Sequence, residues 1–583
     1  MSEQANVTIA KVTAGGAPLP DDYQNNLRRV EVDLSIHLPG MATLEFYDPN
    51  LRLVSDTTGL TIGKEIEIKI ESDEVAATSV FKGHILALEP IFEQGKSYCT
   101  FTVRAYDKMH WMHRGRKSET YQQVKDSDLV RKIAGENGLS PKVDATTDVH
   151  EQVLRDNMSD FEFLKYLGHR NGFVSYIEDG NELHFKSPSS LGTPTIPAEY
   201  GITILQFRPT VSLSGQVNEV EVRGWDRKQK QVVVGTSSKA TFSPVSIGIS
   251  ERGYDLAQRS MNGVRAFSTV ESLHTAGAVQ TSANAIHNRV ASEDVTAEGV
   301  LLGNPKLKPG AKLQLSAISS RFDGSYFVTR VRHRIEQQEG YQTDFWAGGM
   351  NTGTLADLIS DRHRNPVEAR TPQLGLMIGL VTNVADPEAM HRAKVKFPTL
   401  SEQLESFWMP VMGIGAGKER GISVLPEVGD EVIVAFENGD IQRGYILGGL
   451  WNPKDKAPTP QGGTGQTEIR EWKTRIGHVI RFTDSSGGEK IEIIDKTTKN
   501  SMVIDSANNT ITILADKDII LKAPMGNISL EANNIKMKAT AGLEASGATG
   551  KVEASSQLEL KGAITELTAS GMAKISGKMV MIN

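Results

Sequence analysis

Residues 519–537 read IILKAPMGNISLEANNIKM. Three pairs of apolar residues stand out in this stretch, Ile519/Leu521, Ile528/Leu530 and Ile535/Met537, with turn formers between them at Pro524 to Asn527 and Asn533-Asn534. A spacing of two puts both side chains of a pair on one face of a strand, and Pro, Gly and Asn clusters break strands into short pieces. The same beat continues on either side. Upstream lie Met502/Ile504 and Ile511/Ile513; downstream lie Leu543/Ala545, Val552/Ala554, Leu558/Leu560, Leu567/Ala569, Ala573/Ile575 and Val580/Ile582. From Met502 to Val580 ten steps cover 78 residues, a mean of about eight. Further turn formers sit at Asn508-Asn509, Asp516-Lys517-Asp518, Ser555-Ser556, Ser570-Gly571 and Ser576-Gly577, and residues 501–583 hold no aromatic, cysteine, histidine or arginine. Such a repeat of very short strands predicts a β-helix or prism. Between Gly542 and Gly562 the spacing wanders from six to nine residues and leaves the register open.

Two inward side chains per strand bury too little apolar surface to offset the entropy of ordering about eight residues. Open strand edges are also adhesive. Several identical chains wound together would pair every strand around one dry axis, and a closed threefold ring suits one narrow face per strand. The expectation is a rigid homotrimeric needle of eleven strands, roughly 50 Å long at about 4.8 Å per strand. Its axis would be lined by Ile504, Ile511, Ile513, Ile519, Leu521, Ile528, Leu530, Ile535, Met537, Leu558 and Leu560. The alternative is a disordered low-complexity tail, but such tails lack an apolar beat. Lysines from Lys517 to Lys578 alternate with Glu531, Glu544, Glu553, Glu559 and Glu566, which describes a solvated mixed-charge surface rather than a grip on nucleic acid or lipid.

At 583 residues the chain should hold several domains. Its 64 Lys and Arg against 71 Asp and Glu leave a formal net charge of −7, which does not point to an electrostatic nucleic-acid binder. Cys99 is the only cysteine, so no internal disulfide framework exists and synthesis in a reducing cytosol fits. Met1 to Val12 has no basic and apolar leader, and no run of about 18 apolar residues occurs. The expectation is a protein made in the bacterial cytoplasm without a signal peptide.

Residues 1–112 read as β, with strict alternation at Val30, Val32, Leu34, Ile36 and Leu38, at Ile66, Ile68 and Ile70, and at Phe101 and Val103. Asp126-Ser127-Asp128 then precedes Leu129, Val130, Ile133 and Ala134 at helical spacing, with Gly138 as the stop. Ser159-Asp160-Phe161-Glu162 has the form of a capping box and opens a helix ending near Gly172. Strands resume at Val220, Val222 and Val232 to Val234, and from Tyr326 to Arg334. From Leu374 to Pro453 about five short strands, with Val395/Phe397, Val432/Val434/Phe436 and a hairpin signal at Glu437-Asn438-Gly439-Asp440, suit a small OB-type barrel. Lys454 to Gln466 is rich in Pro, Gly and Thr and reads as a linker, and a short β stretch (Ile476 to Asp495) leads into the needle.

Four stretches carry a resemblance to a family. They are Tyr106-Asp107 to Leu139 with Asp160 to Leu164 and Gly172-Phe173; Gly303 to Gly310 with Gly324-Ser325-Tyr326 and His333; Leu425 to Val432 with Glu437 to Asp440 and Leu447-Gly448; and Gly477-His478 with Phe482 and Asp484. The chain resembles the spike proteins of contractile injection systems: the VgrG proteins of type VI secretion, the phage late-control D proteins and the spikes of extracellular phage-tail-like particles. The resemblance implies a mainly β architecture with a few helices. Residues 1–112 would form a first hub-like β-barrel, 113–370 a second barrel region with helical inserts, 371–453 an OB-fold collar, 454–475 a linker and 476–583 the trimeric β-helix needle. It implies a central spike that caps the tube, joins a sixfold tube to a threefold needle and punctures a target envelope when the sheath contracts. Partners would be two further copies of the chain, an inner-tube or tube-initiator protein, baseplate proteins and a PAAR-type tip protein contacting Val580, Met581, Ile582 and Asn583. Effector cargo is a further candidate partner, the target membrane is met only on puncture, and nucleic acid is not expected. The spike would reach the outside in its particle, by lysis or contraction. With no enzymatic domain between barrel and needle and none after it, the reading is a non-enzyme with no cofactor, closest in form to an extracellular particle.

Other motifs weigh less. Gly413-x-Gly415-x-Gly417-Lys418 has neither the spacing of a phosphate loop nor a following Ser or Thr, and reads as a barrel loop. His110 and His113 make half a metal site at most, and an ordinary barrel exit explains them. Glu427, Asp430 and Glu431 fall in a turn before an alternating strand, where a turn role outweighs paired catalytic carboxylates. Cys99 has no nucleophile signature beside it and reads as a buried thiol. Two alternative functions remain: a phage-type tailspike enzyme that degrades a surface glycan, which would need two carboxylates at glycosidase separation in a cleft, and a passive receptor-binding fibre.

Overall fold

The computed structural model describes residues 8–71, 76–94, 99–191, 194–226, 231–260, 265–268, 273, 275–337, 339–350, 375–398, 405–459 and 465–582. They divide into two compact units, 1–456 and 457–583. The protein is mainly β with a few helices.

The first unit is organised by a fourteen-stranded sheet curled around two cores. In the strand Glu65–Glu71, Ile66, Ile68 and Ile70 are buried while the charged residues between them are not, so alternation translates directly into one inward face. The first core gathers Val30, Val32, Leu44, Phe46, Ile66 and Ile68. The second gathers Leu313, Leu315, Tyr326, Val328, Val331 and Phe345. A seam joins them: Gly324–Glu336 pairs antiparallel with Leu27–Ser35 on one side and with Gly340–Ala347 on the other. The alternation read through Leu38 stops earlier in the structure. The strand ends at Ser35, Ile36 donates one more backbone hydrogen bond to Thr329 at 3.1 Å, and Leu38 turns out to solvent ahead of Pro39, which has no N–H for a ladder.

Between the cores lies a helical insert with its own core, including Leu129, Val130, Ile133, Phe163, Leu164 and Leu167. Its first helix, Asp126–Glu136, buries that apolar stripe and ends at Asn137, with Gly138 at φ +64°. The second, Asp160–Asn171, carries the anticipated capping box. Glu162 N donates to Ser159 Oγ at 3.1 Å, and Ser159 N donates to Glu162 Oε2 at 2.9 Å. Gly172 closes it at φ +68°, a conformation that a side chain would strain. A third long helix, Ala276–Ala291, was not legible in the sequence; Thr275 caps it, and Val279, Ala283 and Ile286 pack it onto the strands Glu219–Asp226 and Gln231–Ser237.

The OB-type domain consists of Leu376–Asn383, Arg392–Lys396, Met409–Pro410, Glu431–Phe436 and Gly444–Gly449. The last two strands form the anticipated hairpin, and Met412 N donates to Ile446 O at 2.8 Å to draw the barrel together. Its core of Val381, Val395, Phe397, Val432, Val434 and Ile446 also takes in Leu154, from the strand Val149–Met158 of the helical insert.

In the second unit five strands form an antiparallel meander in chain order: Ile469–Lys473, Val479–Thr483, Lys490–Ile494, Ser501–Asp505 and Thr510–Leu514. The first of these falls inside 454–475, the stretch read as linker, because Trp472 and its neighbours pair in register with Val479–Thr483. Residues 460–464, also read as linker, lie outside the described residues.

Candidate functional site

The meander has two unlike faces. Cross-strand register aligns Trp472, Ile480, Ile493, Met502 and Ile513 in one row. A second row, two residues along each strand, runs Arg470, Phe482, Ile491, Ile504 and Ile511. Partners directly opposite in a sheet share a face, so both rows lie on the same side. That side is uncovered by the described residues: Trp472 is 53% exposed and Ile511 67%. A cleft of about 550 Å³ is lined by Trp472, Ile480, Ile493 and Met502 among others. The opposite face is electrostatically satisfied. Arg481 Nη2 lies 2.8 Å from Glu471 Oε2, and Arg481 Nη1 lies 3.8 Å from Glu492 Oε2. Burial alone would raise the Glu471 carboxyl, but hydrogen bonds from Thr459 and Arg481 hold it below its ordinary value.

After Leu514 no strand pairing occurs among the described residues, yet the chain keeps a strict rhythm. It bends at 516–517, 524–526, 533, 540–541, 548–549, 555–556, 563–564, 570–571 and 578. The nine extended segments that follow these bends each contain one apolar pair: Ile519/Leu521, Ile528/Leu530, Ile535/Met537, Leu543/Ala545, Val552/Ala554, Leu558/Leu560, Leu567/Ala569, Ala573/Ile575 and Val580/Ile582. The bends at 548–549 and 563–564 mark two turns that the sequence left unassigned on either side of Ser555-Ser556. The sequence turn at Ser576-Gly577 appears one residue later, at 578. Every one of these pairs is exposed; Leu560, for example, is 67% exposed and Val552 80%.

Of the residues assigned to an axis by sequence, Ile504, Ile511 and Ile513 sit on the meander's apolar face. Ile519, Leu521, Ile528, Leu530, Ile535, Met537, Leu558 and Leu560 sit on the extended segments. Val580, Met581 and Ile582 are exposed at the end of the described chain, and Asn583 lies outside the described residues. Trp472, Ile480, Phe482, Ile491 and Ile493 were missed as members of the same surface. Their signal was present: Ile480/Phe482 and Ile491/Ile493 carry the same spacing of two.

The other motifs resolve into structural roles. His110 and His113 share the turn Lys108–His113 but diverge: His113 stacks on Phe161 at 3.8 Å between ring centres, and His110 lies beside Tyr106 and Trp111. Among the described residues no group of three His, Cys, Asp or Glu is gathered to hold a metal. The Gly413–Lys418 segment folds back as a hairpin, with Ile422 N donating to Ile414 O at 2.9 Å. Asp430 Oδ2 accepts from Glu427 N at 2.8 Å, a turn within which the two carboxylates do not converge on a cleft. Cys99 is fully buried, and burial pushes its thiol up.

Two family models match the chain: residues 4–337 match the Alg8 N-terminal domain, and residues 377–451 match the type VI secretion system/phage-baseplate injector OB domain. Among curated relatives, the type VI secretion system spike protein VgrG1c of Pseudomonas aeruginosa is 29% identical over 185 residues, which are 29% of this chain and 25% of that protein. The actin cross-linking toxin VgrG1 of Vibrio cholerae is 26% identical over 201 residues, 32% of this chain and 18% of that one. The matches thus span less than a third of the curated relatives. Among solved structures, a chain of the half-lidded Francisella PdpA-VgrG complex matches with a TM-score of 0.52 at 8% identity, covering 88% of each chain. An E. coli type VI secretion component with structural similarity to the T4 tail proteins gp27 and gp5 matches with a TM-score of 0.50 at 16% identity, covering 76% of this chain and 99% of that one. At these identities the structures establish a shared fold.

Proposed function

The chain belongs to the family of the Alg8 N-terminal domain and is a VgrG-like spike protein, and from that premise we propose that it works as the homotrimeric central spike of a contractile injection machine. One observation carries the reading. Nine extended segments expose an apolar pair each and have no strand partner among the described residues. Three identical chains wound about one axis would bury those pairs and satisfy the backbone together. The hub-like region would cap the tube and adapt its sixfold end to the threefold needle, the OB collar would seat the needle, and sheath contraction would drive it through a target envelope. Stiffness is the working property: a rod braced by three paired backbones concentrates force on a small area.

Partners in this reading are the inner tube or its initiator, the baseplate, and a PAAR-type tip protein on Val580, Met581, Ile582 and Asn583. The PdpA-VgrG complex supports a place for accessory or cargo proteins on such a spike. Its role is mechanical rather than enzymatic, in keeping with curated relatives named as spike proteins. Export is with the particle, by lysis or contraction.

Light scattering of the full chain beside a form ending near Pro460 tests the proposal. A trimer for the full chain that weakens or separates without the tail is expected. A full chain that stays monomeric, with residues 518–582 open to protease, would overturn it.

A further inference from the structure

The second unit changes character at Leu514. Up to that point its strands pair within the chain, through hairpins whose turns seal themselves. Gly488 N donates to Ser485 O at 2.9 Å, Asn500 Nδ2 donates to Asp495 Oδ2 at 2.9 Å, and Asn508 N donates to Asp505 Oδ1 at 2.9 Å. Beyond it, the repeat has no strand pairing of its own. A five-stranded antiparallel meander of sequential hairpins has only local contacts and forms without a partner. The later segments gain nothing by ordering until other chains lie alongside.

From this contrast, and resting on the homotrimer reading above, we propose that the apolar face of the meander Ile469–Leu514 is the surface on which three copies of the chain first meet and set their register. The occupant of that face is the same face of the other two copies. Three features single it out. The ion ladder of Glu471, Arg481 and Glu492 pairs the charges of the opposite face within the chain, so the uncovered face is the apolar one. Trp472 and Phe482 are bulky and unlike any residue of 501–583, where no aromatic occurs. The nine later segments are near-interchangeable, each with one aliphatic pair, so a slip of one repeat leaves all but the end pair matched. A needle that began to wind anywhere within the repeat would therefore tolerate misregister. A face bearing Trp472 and Phe482 at single positions does not.

The physical consequence is a direction of assembly. Joining three sheets face to face holds the three tails at high effective concentration. Winding then becomes an intramolecular step that runs from Asp516 towards Ile582.

The test compares full-length wild type, Ile493→Asp, Phe482→Asp and Leu558→Asp at one protein concentration, by light scattering and by tryptic cleavage within 518–582. Ile493 and Phe482 are 51% and 46% exposed in the single chain and belong to none of its buried cores, so an aspartate there removes little of the monomer's own packing. Both sheet variants are expected to be monomeric, whereas Leu558→Asp stays trimeric through its sheets and is cut at Lys551 or Lys561. With a trimeric wild type, sheet variants that remain trimeric, or a Leu558→Asp variant that becomes monomeric, overturn the inference and leave the spike reading standing. A monomeric wild type overturns the spike reading itself.

Discussion

Asp107 places a carboxyl where the first core meets the helical insert. Gly40 N donates to its Oδ2 at 2.7 Å, and Met109 N donates to its Oδ1 at 2.9 Å. A cavity of about 40 Å³ beside it is lined by Leu34, Phe81, Tyr176 and Lys308 among others. Burial is the larger influence and outweighs the two N–H donors, so the carboxyl is pushed up from 3.8 to about 7. A folded-state pKa raised in this way contributes stability that is fully present below the unfolded value of 3.8 and is lost as pH rises through about 7. Asp107→Asn removes that titration. The variant's stability, measured by thermal unfolding against wild type at pH 5 and pH 8, should therefore rise relative to wild type at the higher pH, by an amount on the order of a few kcal/mol at most. An unchanged difference between the two pH values would show that the carboxyl does not titrate in this range. Sequence singled out Asp107 only as part of a resemblance; the turn that it caps and the burial that shifts it depend on Gly40, 67 residues away.

At the scale of elements, the legible features were those closed within a few residues. The Ser159/Glu162 box and the Gly172 stop are local hydrogen-bond and backbone matters, and the helix between them appeared as read. Ala276–Ala291 was hidden because its buried stripe is built largely of small residues, Ser282, Ala283 and Ala285 among them, whose burial is conferred by the strands beneath. Leu154 is a sharper case. It lies on a strand of the helical insert but is 4% exposed and packs in the collar core, while Thr120 Oγ1 and Gln152 Nε2 donate to Glu405 O at 3.2 and 3.1 Å. This contact couples insert and collar. Leu154→Ala should cost about 2–5 kcal/mol, as a large-to-small change in a packed core does. The expected signature is a lower collar melting temperature together with new protease cleavage between 375 and 456. If cleavage and melting match wild type, Leu154 is not the coupling contact.

At the scale of the whole molecule, the proposed needle makes a demand that no single chain reveals. Ile519→Asp would set three carboxylates around one dry axis, and burying unpaired charge is costly enough to keep that part from closing. Loss of the heat-resistant, protease-resistant 518–582 rod is expected, measured by tryptic digestion after heating. A variant whose rod survives as in wild type would mean that Ile519 faces outward.

What the sequence determined by itself was periodic or local: the two-residue beat with its eight-residue step, the alternation of Ile66, Ile68 and Ile70, the helix caps and the hairpin of the collar. Each follows from side-chain direction along a strand or from hydrogen bonds between near neighbours. Tertiary structure alone decided what depends on distant chain segments meeting. Leu27–Ser35 pairs with Gly324–Glu336 to fuse two cores into one sheet, and Leu154 enters a core whose other members lie beyond residue 380. It also decided where the beat folds back on itself. The same spacing of two runs on both sides of Leu514, but only the hairpins ahead of it close within the chain, at turns such as those sealed by Asp495 and Asp505. Periodicity records which face of a strand is apolar, whereas the partner of that strand is chosen by turn geometry and by the surfaces that folding brings alongside.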